Sequence, residues 1–402
     1  MSFNDIKNAG NLPFIPFEAG CVLFDEVEQS VLILNQTAAF IWCTAFEVDS
    51  LAKLAERVAG EYAVPVAIAR QDIQRFFDEF QSCRLFLPKE EQHGSFLRPL
   101  TEAPACQPAE PGDVLSLLVD HQLFKISVPV ADLKRELSRI YRPFIYGSED
   151  LGHSDREYFV EVCAEKNNHQ SLFSIYVDKQ CVIEALTQDG VIPFLFGIVF
   201  ETLWRAEQEN LPLMFHAAVL SQQEGQAVVF PAQSGSGKST LAALLAAKGW
   251  QFFTDELAVI LPEPGRVLPC PLPICVKEGA VETLSEYYSE LKDFMRHRRL
   301  DDKQVCYLPV EHAALFSRDA ADIQAIVFPR YDKATLCELS SLGKKEALMG
   351  FLECGSAGRA MGVEELSAVV QMVEQLPCYE LVYSDIDSAV VELKEKLVVN
   401  SR

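Results

Sequence analysis

The stretch Ala227-Val228-Val229-Phe230-Pro231-Ala232-Gln233-Ser234-Gly235-Ser236-Gly237-Lys238-Ser239-Thr240 decides the fold of this chain. Ala227 to Phe230 predicts a strand, Pro231 to Gly237 a loop, and Lys238 to Lys248 a helix. The order fits GxxxxGK[ST]. Its glycines let the backbone fold into a nest, so that successive N–H groups point at one anion. The helix N-terminus adds its positive dipole end. Ser234, Gly235, Ser236, Gly237, Lys238, Ser239 and Thr240 are therefore candidate nucleotide-binding residues. The Lys238 ammonium can reach the β- and γ-phosphates, and the Ser239 hydroxyl can ligate Mg²⁺, so ATP and Mg²⁺ are the expected ligands. Ala232 stands where the pattern has its first glycine; if that position needs a positive φ, alanine costs on the order of 1 kcal/mol.

A phosphate loop needs a carboxylate beside it. Gln251 to Thr254 predicts a strand ending in Asp255-Glu256. Carboxylates at that end can hold Mg²⁺ or accept the proton of an attacking hydroxyl. Upstream, His216 interrupts the apolar run Leu213 to Val219, read as one strand leading toward the loop strand; on its residues alone it reads as a core histidine more readily than as a catalyst. Further apolar runs at Leu115–Val119, Leu123–Val128, Tyr158–Val162 and Leu172–Val177 predict strands, and Pro193 to Gln208 a helix. The alternation predicts an α/β core with the phosphate loop at a strand's carboxyl end.

At the front, Cys21–Phe24 and Val31–Leu34 flank an acidic turn and predict a hairpin. Asn35 caps a helix over Thr37–Ala45, and Ser50 caps another with Leu51, Leu54, Ala55, Val58 and Tyr62 on one face. A third helix carries the stripe Ile73, Phe76, Phe77, Phe80. This is a small winged-helix-like module. Lys89 to Gly112 has four prolines, two glycines and no periodicity, and reads as a linker.

The chain has 402 residues, length for two or three domains. The expected division is 1–87, a linker at 88–112, and 113–402, with 113–192 either part of the last unit or a third domain. With 49% apolar and 23% charged residues, disorder and low-complexity classes are excluded. The formal charge of −23 repels nucleic-acid phosphates and anionic lipid, so neither is an expected partner. No apolar run reaches the ~20 residues of a membrane span, and Met1 to Gly20 has no secretory pattern. The twelve scattered cysteines, none in CxxC spacing, read as reduced cytoplasmic thiols.

The motifs together resemble the HPr kinase family: His216-Ala217-Ala218, then Ser234-Gly235-Ser236-Gly237-Lys238-Ser239, then Gly249-Trp250 to Asp255-Glu256. Pro269 to Lys277 and Val327 to Tyr331 look like the related kinases of peptide-modification gene clusters. The resemblance spans about 113–395. It implies a phosphoenolpyruvate-carboxykinase-like nucleotide fold, with Asp255 as base toward a serine hydroxyl, Glu256 helping hold metal, and His216 supporting the base. It makes Lys277, Lys303 and Arg330 candidate charge-neutralising groups, and it raises a homo-oligomer.

Residues 15–87 resemble a PqqD-like domain, the recognition element of ribosomal peptide modification systems, through Val31 to Trp42 and the helices that follow. Such domains add a leader peptide as a strand against the sheet edge and third helix. Val31, Leu32, Ile33, Leu34, Phe76 and Phe80 are then candidate peptide contacts. The combined expectation is an ATP-dependent kinase acting on a hydroxyl, first of all serine, of a captured precursor peptide. The alternatives are a related kinase acting on a carrier protein or small molecule, and a non-catalytic nucleotide-gated peptide chaperone.

Overall fold

The front hairpin is the middle of a four-stranded sheet. In the computed structural model, β1 (Phe14–Phe17), β2 (Gly20–Asp25) and β3 (Ser30–Leu34) form an antiparallel meander. Helices α1 (Gln36–Glu47), α2 (Leu51–Tyr62) and α3 (Val66–Glu79) follow, and β4 (Leu85–Phe86) returns to the outer edge of β3. The structure describes residues 3, 12–80, 84–87, 114–119, 121–146, 154–167, 170–208, 213–223, 225–233, 236–261, 265–270, 272–309, 320–355 and 360–399. The expected linker therefore lies outside the described residues.

Both expected caps form: Asn35 Oδ1 accepts from Ala38 N at 2.9 Å, and Ser50 Oγ from Lys53 N at 3.4 Å. Ile73, Phe76, Phe77 and Phe80 are buried, and Trp42 stacks on Phe80 with centroids 5.3 Å apart. The stripe on α2 is narrower than its spacing suggests. Leu54, Ala55 and Val58 are buried, but Leu51, in the first turn, is exposed.

The middle of the chain builds a second sheet in the order β5 (Val114–Val119), β6 (Gln122–Ser127), β7 (Arg156–Asn167), β8 (Gln170–Val177), β9 (Gln180–Leu186). The parallel step from β6 to β7 needs a crossover, which α4 (Ala131–Ile140) contributes to. α4 and α5 (Gln188–Gln208) contribute Leu133, Leu137, Leu195 and Ile198 to the core beneath this sheet. α5 begins five residues before the expected start. Cys163 on β7 is disulfide-bonded, which corrects the all-thiol expectation.

The remainder forms a mixed nine-stranded sheet, with β10 (Leu213–Phe215), β11 (Ala217–Gln223), β12 (Gln226–Pro231), β13 (Gln251–Thr254), β14 (Ala258–Ile260) and β15 (Arg266–Leu268) in its first part. α6 (Lys238–Ala247) follows β12. A small antiparallel sheet comprises β16 (Ile274–Lys277), β17 (His297–Arg298) and β18 (Gln304–Leu308), with α7 (Glu278–Leu284) after β16. The large sheet is completed by β19 (Ala321–Tyr331), β20 (Glu338–Ser341) and β21 (Cys378–Tyr383). Helices α8 (Lys344–Glu353), α9 (Val363–Gln375) and α10 (Ile386–Val399) complete the fold. β12, β19 and β21 are parallel; β11 joins β12 and β13 antiparallel. α6 and α10 pack in one core with the sheet, and α8 and α9 in another.

The second of these cores is shared with the front sheet. Ile15, Phe17, Val22, Phe24 and Val31 join Leu366, Val369, Val370 and Val373 of α9 in one apolar cluster. Glu18 N donates to Glu374 Oε1 at 2.6 Å. Gln29 clips the chain entering α9, donating to Met361 O at 3.0 Å and accepting from Met361 N at 2.8 Å. Each large side chain buried there contributes about 1.5–3 kcal/mol relative to exposure, so the two units dock through more than a tether. No helix among the described residues is long and apolar enough to cross a membrane.

Candidate functional site

β12 delivers the phosphate loop. Ala232 stays out of the left-handed region, so the missing first glycine costs no backbone strain. The positive φ falls instead on Gly237 (91°), directly before α6. A Cβ there would meet nothing within 4 Å, so backbone conformation, not crowding, demands glycine, and the space above the loop is open. Ser236 N donates to Gln233 O at 3.2 Å, and Leu241 N to Gly237 O at 2.9 Å. The amides of Lys238, Ser239 and Thr240 open the helix, where no carbonyl one turn back can take them. Ser234 and Gly235 lie outside the described residues. The end of α8 walls the loop: Gln233 Nε2 reaches Glu353 Oε2 at 3.3 Å, and the Lys238 ammonium bears electrostatically on the half-buried Cys354 thiol.

The acid pair splits into one buried and one exposed carboxylate. Thr254, last in β13, makes the split: its hydroxyl accepts from Glu256 N at 3.2 Å and from Leu257 N at 3.1 Å, closing a tight turn. Asp255 turns inward and is 3% exposed. Burial first, and the Glu256 charge second, push its carboxyl up to about 7; the Ser239 hydroxyl and the Lys238 charge pull the other way. One of its oxygens, Oδ2, is buried without a hydrogen-bond partner among the described residues, as is Ser236 Oγ. Orphaned oxygens next to a helix N-terminus need a donor or a cation.

Glu256 turns outward and meets His216. The ring nitrogen Nδ1 lies 3.5 Å from Glu256 Oε1 and 3.3 Å from its backbone oxygen. The expected single strand over 213–219 breaks at His216, because β10 pairs with β14 while β11 pairs with β12 and β13. The bend brings the imidazole to Glu256, where the resemblance placed it behind Asp255.

The residues fit Mg²⁺ with nucleotide. Among the described residues no cluster of three His, Cys, Asp or Glu side chains forms a cation cage. Ser239 and the orphaned Asp255 oxygen meet beside the loop, with Glu256 on the outer side of the same turn, a sparse oxygen set of the kind a magnesium ion sharing its shell with water and phosphates requires.

Three candidate cations fall in different surroundings. Lys277 ends β16, exposed. Lys303 Nζ sits 2.8 Å from Asp301. Arg330 is taken by Glu380 at 3.2 Å and Asp332 at 3.4 Å. A cation the motifs did not point to, Arg299, stands with Nη1 4.0 Å from Cys275 Sγ; the thiol, pushed up to about 12 by burial, lies in the field of both Asp255 and Glu256.

On the front sheet, Val31, Leu32, Leu34, Phe76 and Phe80 are buried in the protein's own cores, and Ile33 is partly buried. Their side chains are spent on folding. What the edge offers is backbone: β4 pairs only with Ser30 and Val31, leaving Leu32 to Leu34 without a strand on that side among the described residues.

No curated protein matches the chain. Among solved structures, the Hpr(Ser) kinase/phosphatase from Coxiella burnetii aligns at 11% identity over 46% of this chain and 88% of that one, with a TM-score of 0.22. Residues 20–85 match the family described as coenzyme PQQ synthesis protein D (PqqD). The front module is thus similar to the PqqD family over these residues.

Proposed function

We propose that the chain is an ATP-dependent phosphotransferase that phosphorylates a hydroxyl, serine foremost, of a ribosomally made precursor peptide held by its PqqD domain. The observation that carries this reading is Asp255. It is a buried carboxylate, hydrogen-bonded to the Ser of a Gly-Lys-Ser loop, with its second oxygen unpartnered and its ionisation moved close to neutral pH. A pure nucleotide binder has no need of a base so placed.

The chain's own residues divide the work. The amides of Lys238, Ser239 and Thr240, with the α6 dipole, cradle phosphate oxygens. Lys238 spans the β- and γ-phosphates. Ser239 and Glu256 would hold Mg²⁺, which when bound neutralises phosphate charge, and His216 orients Glu256. Asp255 accepts the proton as the hydroxyl oxygen bonds to the γ-phosphorus and the bond to ADP breaks. A carboxyl near pH 7 is still a competent acceptor when about half of it is ionised. The PqqD edge at Leu32–Leu34 holds the leader by β-augmentation.

The test is mass spectrometry of precursor peptide incubated with Mg–ATP and either the wild-type chain or Asp255→Asn. Wild type adds one phosphate per peptide and the variant almost none; equal transfer by the variant removes Asp255 as base.

A further inference from the structure

The hairpin joining β17 to β18 is fastened from below. His297, its side chain fully buried, lies with Nε2 3.3 Å from Glu136 Oε1 on α4. Arg139 grips the same carboxylate at 2.9 and 2.6 Å, donates to Tyr307 O at 3.1 Å, and lays its guanidinium 3.4 Å from the Phe294 ring centroid. Burying charges this way is costly and holds only in one geometry. The middle sheet, otherwise without a role, thereby fixes the root of a hairpin in the nucleotide unit.

The tip is fastened as well. Arg299 N donates to Lys303 O and Asp302 N to Arg299 O, each at 3.0 Å. Arg298 is paired with Asp302 at 3.1 Å, while a single carboxylate, Asp301, serves both Arg299 (3.3 Å) and Lys303 (2.8 Å). The tip therefore keeps one positive charge in surplus, in a chain of net charge −23. Asp301 on Nε and Cys275 on Nη1 orient the planar guanidinium. Cys275 stands opposite Tyr307 on the neighbouring strand. The segment leading to it is pinned to β13 by Cys270 N to Phe253 O at 2.9 Å, two residues before Asp255.

We propose that Arg299 is a further catalytic residue, which binds the phosphoryl group on the acceptor side of the acid pair as Lys238 does on the nucleotide side. The proposal rests on the phosphotransfer reading above. A guanidinium offers two parallel donors to phosphate oxygens, and one held in place beforehand stabilises charge as it develops without reorganising. Lys303 shares Asp301 with Arg299 but offers a single ammonium on a flexible stem in place of a planar fork, Arg330 is taken by Glu380 and Asp332, and Lys277 lies at the exposed end of its strand.

The test uses the full chain as wild type, Arg299→Gln and Arg299→Lys. Calorimetric titration of inorganic phosphate into protein saturated with Mg–ADP reads anion binding directly; single-turnover transfer reads the rate. Arg299→Gln should bind phosphate about tenfold more weakly and transfer about a hundredfold more slowly, with ADP affinity unchanged. Arg299→Lys should recover part of the phosphate affinity. Wild-type phosphate binding and transfer by Arg299→Gln overturns the assignment, and so does an equal loss of ADP affinity. If the wild type itself binds Mg–ADP and phosphate but transfers to no hydroxyl, phosphotransfer falls, while the calorimetry still decides Arg299.

Discussion

Replacing Asp255 by Asn should make the protein more stable at alkaline pH, at the expense of its activity. The carboxyl is raised from 3.8 to about 7, chiefly by burial. Between these values the unfolded chain has released the proton and the folded chain still holds it, so the folded state binds more protons and stability falls as pH rises. The loss is complete above the folded value. At 1.36 kcal/mol per unit, three units amount to about 4 kcal/mol, of which about 3 kcal/mol falls between pH 5 and pH 8. Asparagine keeps an acceptor for Ser239 but brings a buried NH₂ where Oδ2 has no partner, a constant penalty of about 1–3 kcal/mol that does not vary with pH. The difference between the two proteins therefore isolates the carboxylate. Urea unfolding at intervals from about pH 5 to pH 8 should find the variant gaining about 3 kcal/mol on the wild type across that window. Stability curves that run parallel within about 0.5 kcal/mol would show that Asp255 titrates normally and would refute its role as a base tuned by burial.

Lys238→Met should weaken Mg–ATP binding by about tenfold or more without altering the unfolding midpoint, measured by calorimetry and thermal melt, because the proposed role of the side chain is on phosphate and it is no part of the buried core. Thr254→Val removes the hydroxyl that accepts from Glu256 N and Leu257 N; stability should drop by about 1–3 kcal/mol in urea titration, with transfer slowed as the acid pair loosens. Ile33→Pro removes a donor from the open edge of β3; leader-peptide affinity, read by fluorescence anisotropy, should fall while ADP affinity holds.

The local chemistry was legible wherever neighbours in sequence determine it. Asn35 and Ser50 cap the helices they precede, and the strand, loop and helix around Lys238 stand where the motif puts them. The unequal fates of Asp255 and Glu256 were not legible, since adjacent carboxylates look alike until the Thr254 turn sends one inward; a threonine ending a strand before two acids is a signal that was available. The break at His216 arises because its two flanks pair with different strands, a fact of the sheet and not of the heptapeptide. β4, two residues long, carries no periodicity. Arg299, in a hairpin tip, and Cys275, on a strand, meet across 24 positions, beyond any motif. The docking of the front sheet was half visible: Cys21–Phe24 and Val31–Leu34 are unbroken apolar runs rather than alternating ones, the pattern of strands covered on both faces. The helices account for one face, and α9 accounts for the other. Deleting the PqqD domain would expose that α9 face, so substitutions at its open edge separate peptide capture from folding more cleanly than truncation does.

The most direct test of the account is phosphate transfer itself. The intact chain is incubated with Mg–ATP and a precursor peptide, with or without the peptide's leader segment, and the products are weighed by mass spectrometry. The account predicts one added phosphate on a hydroxyl of the leader-bearing peptide, formed far more slowly when the leader is absent. ATP consumed or bound with no phosphate on the peptide, leader present, would contradict it.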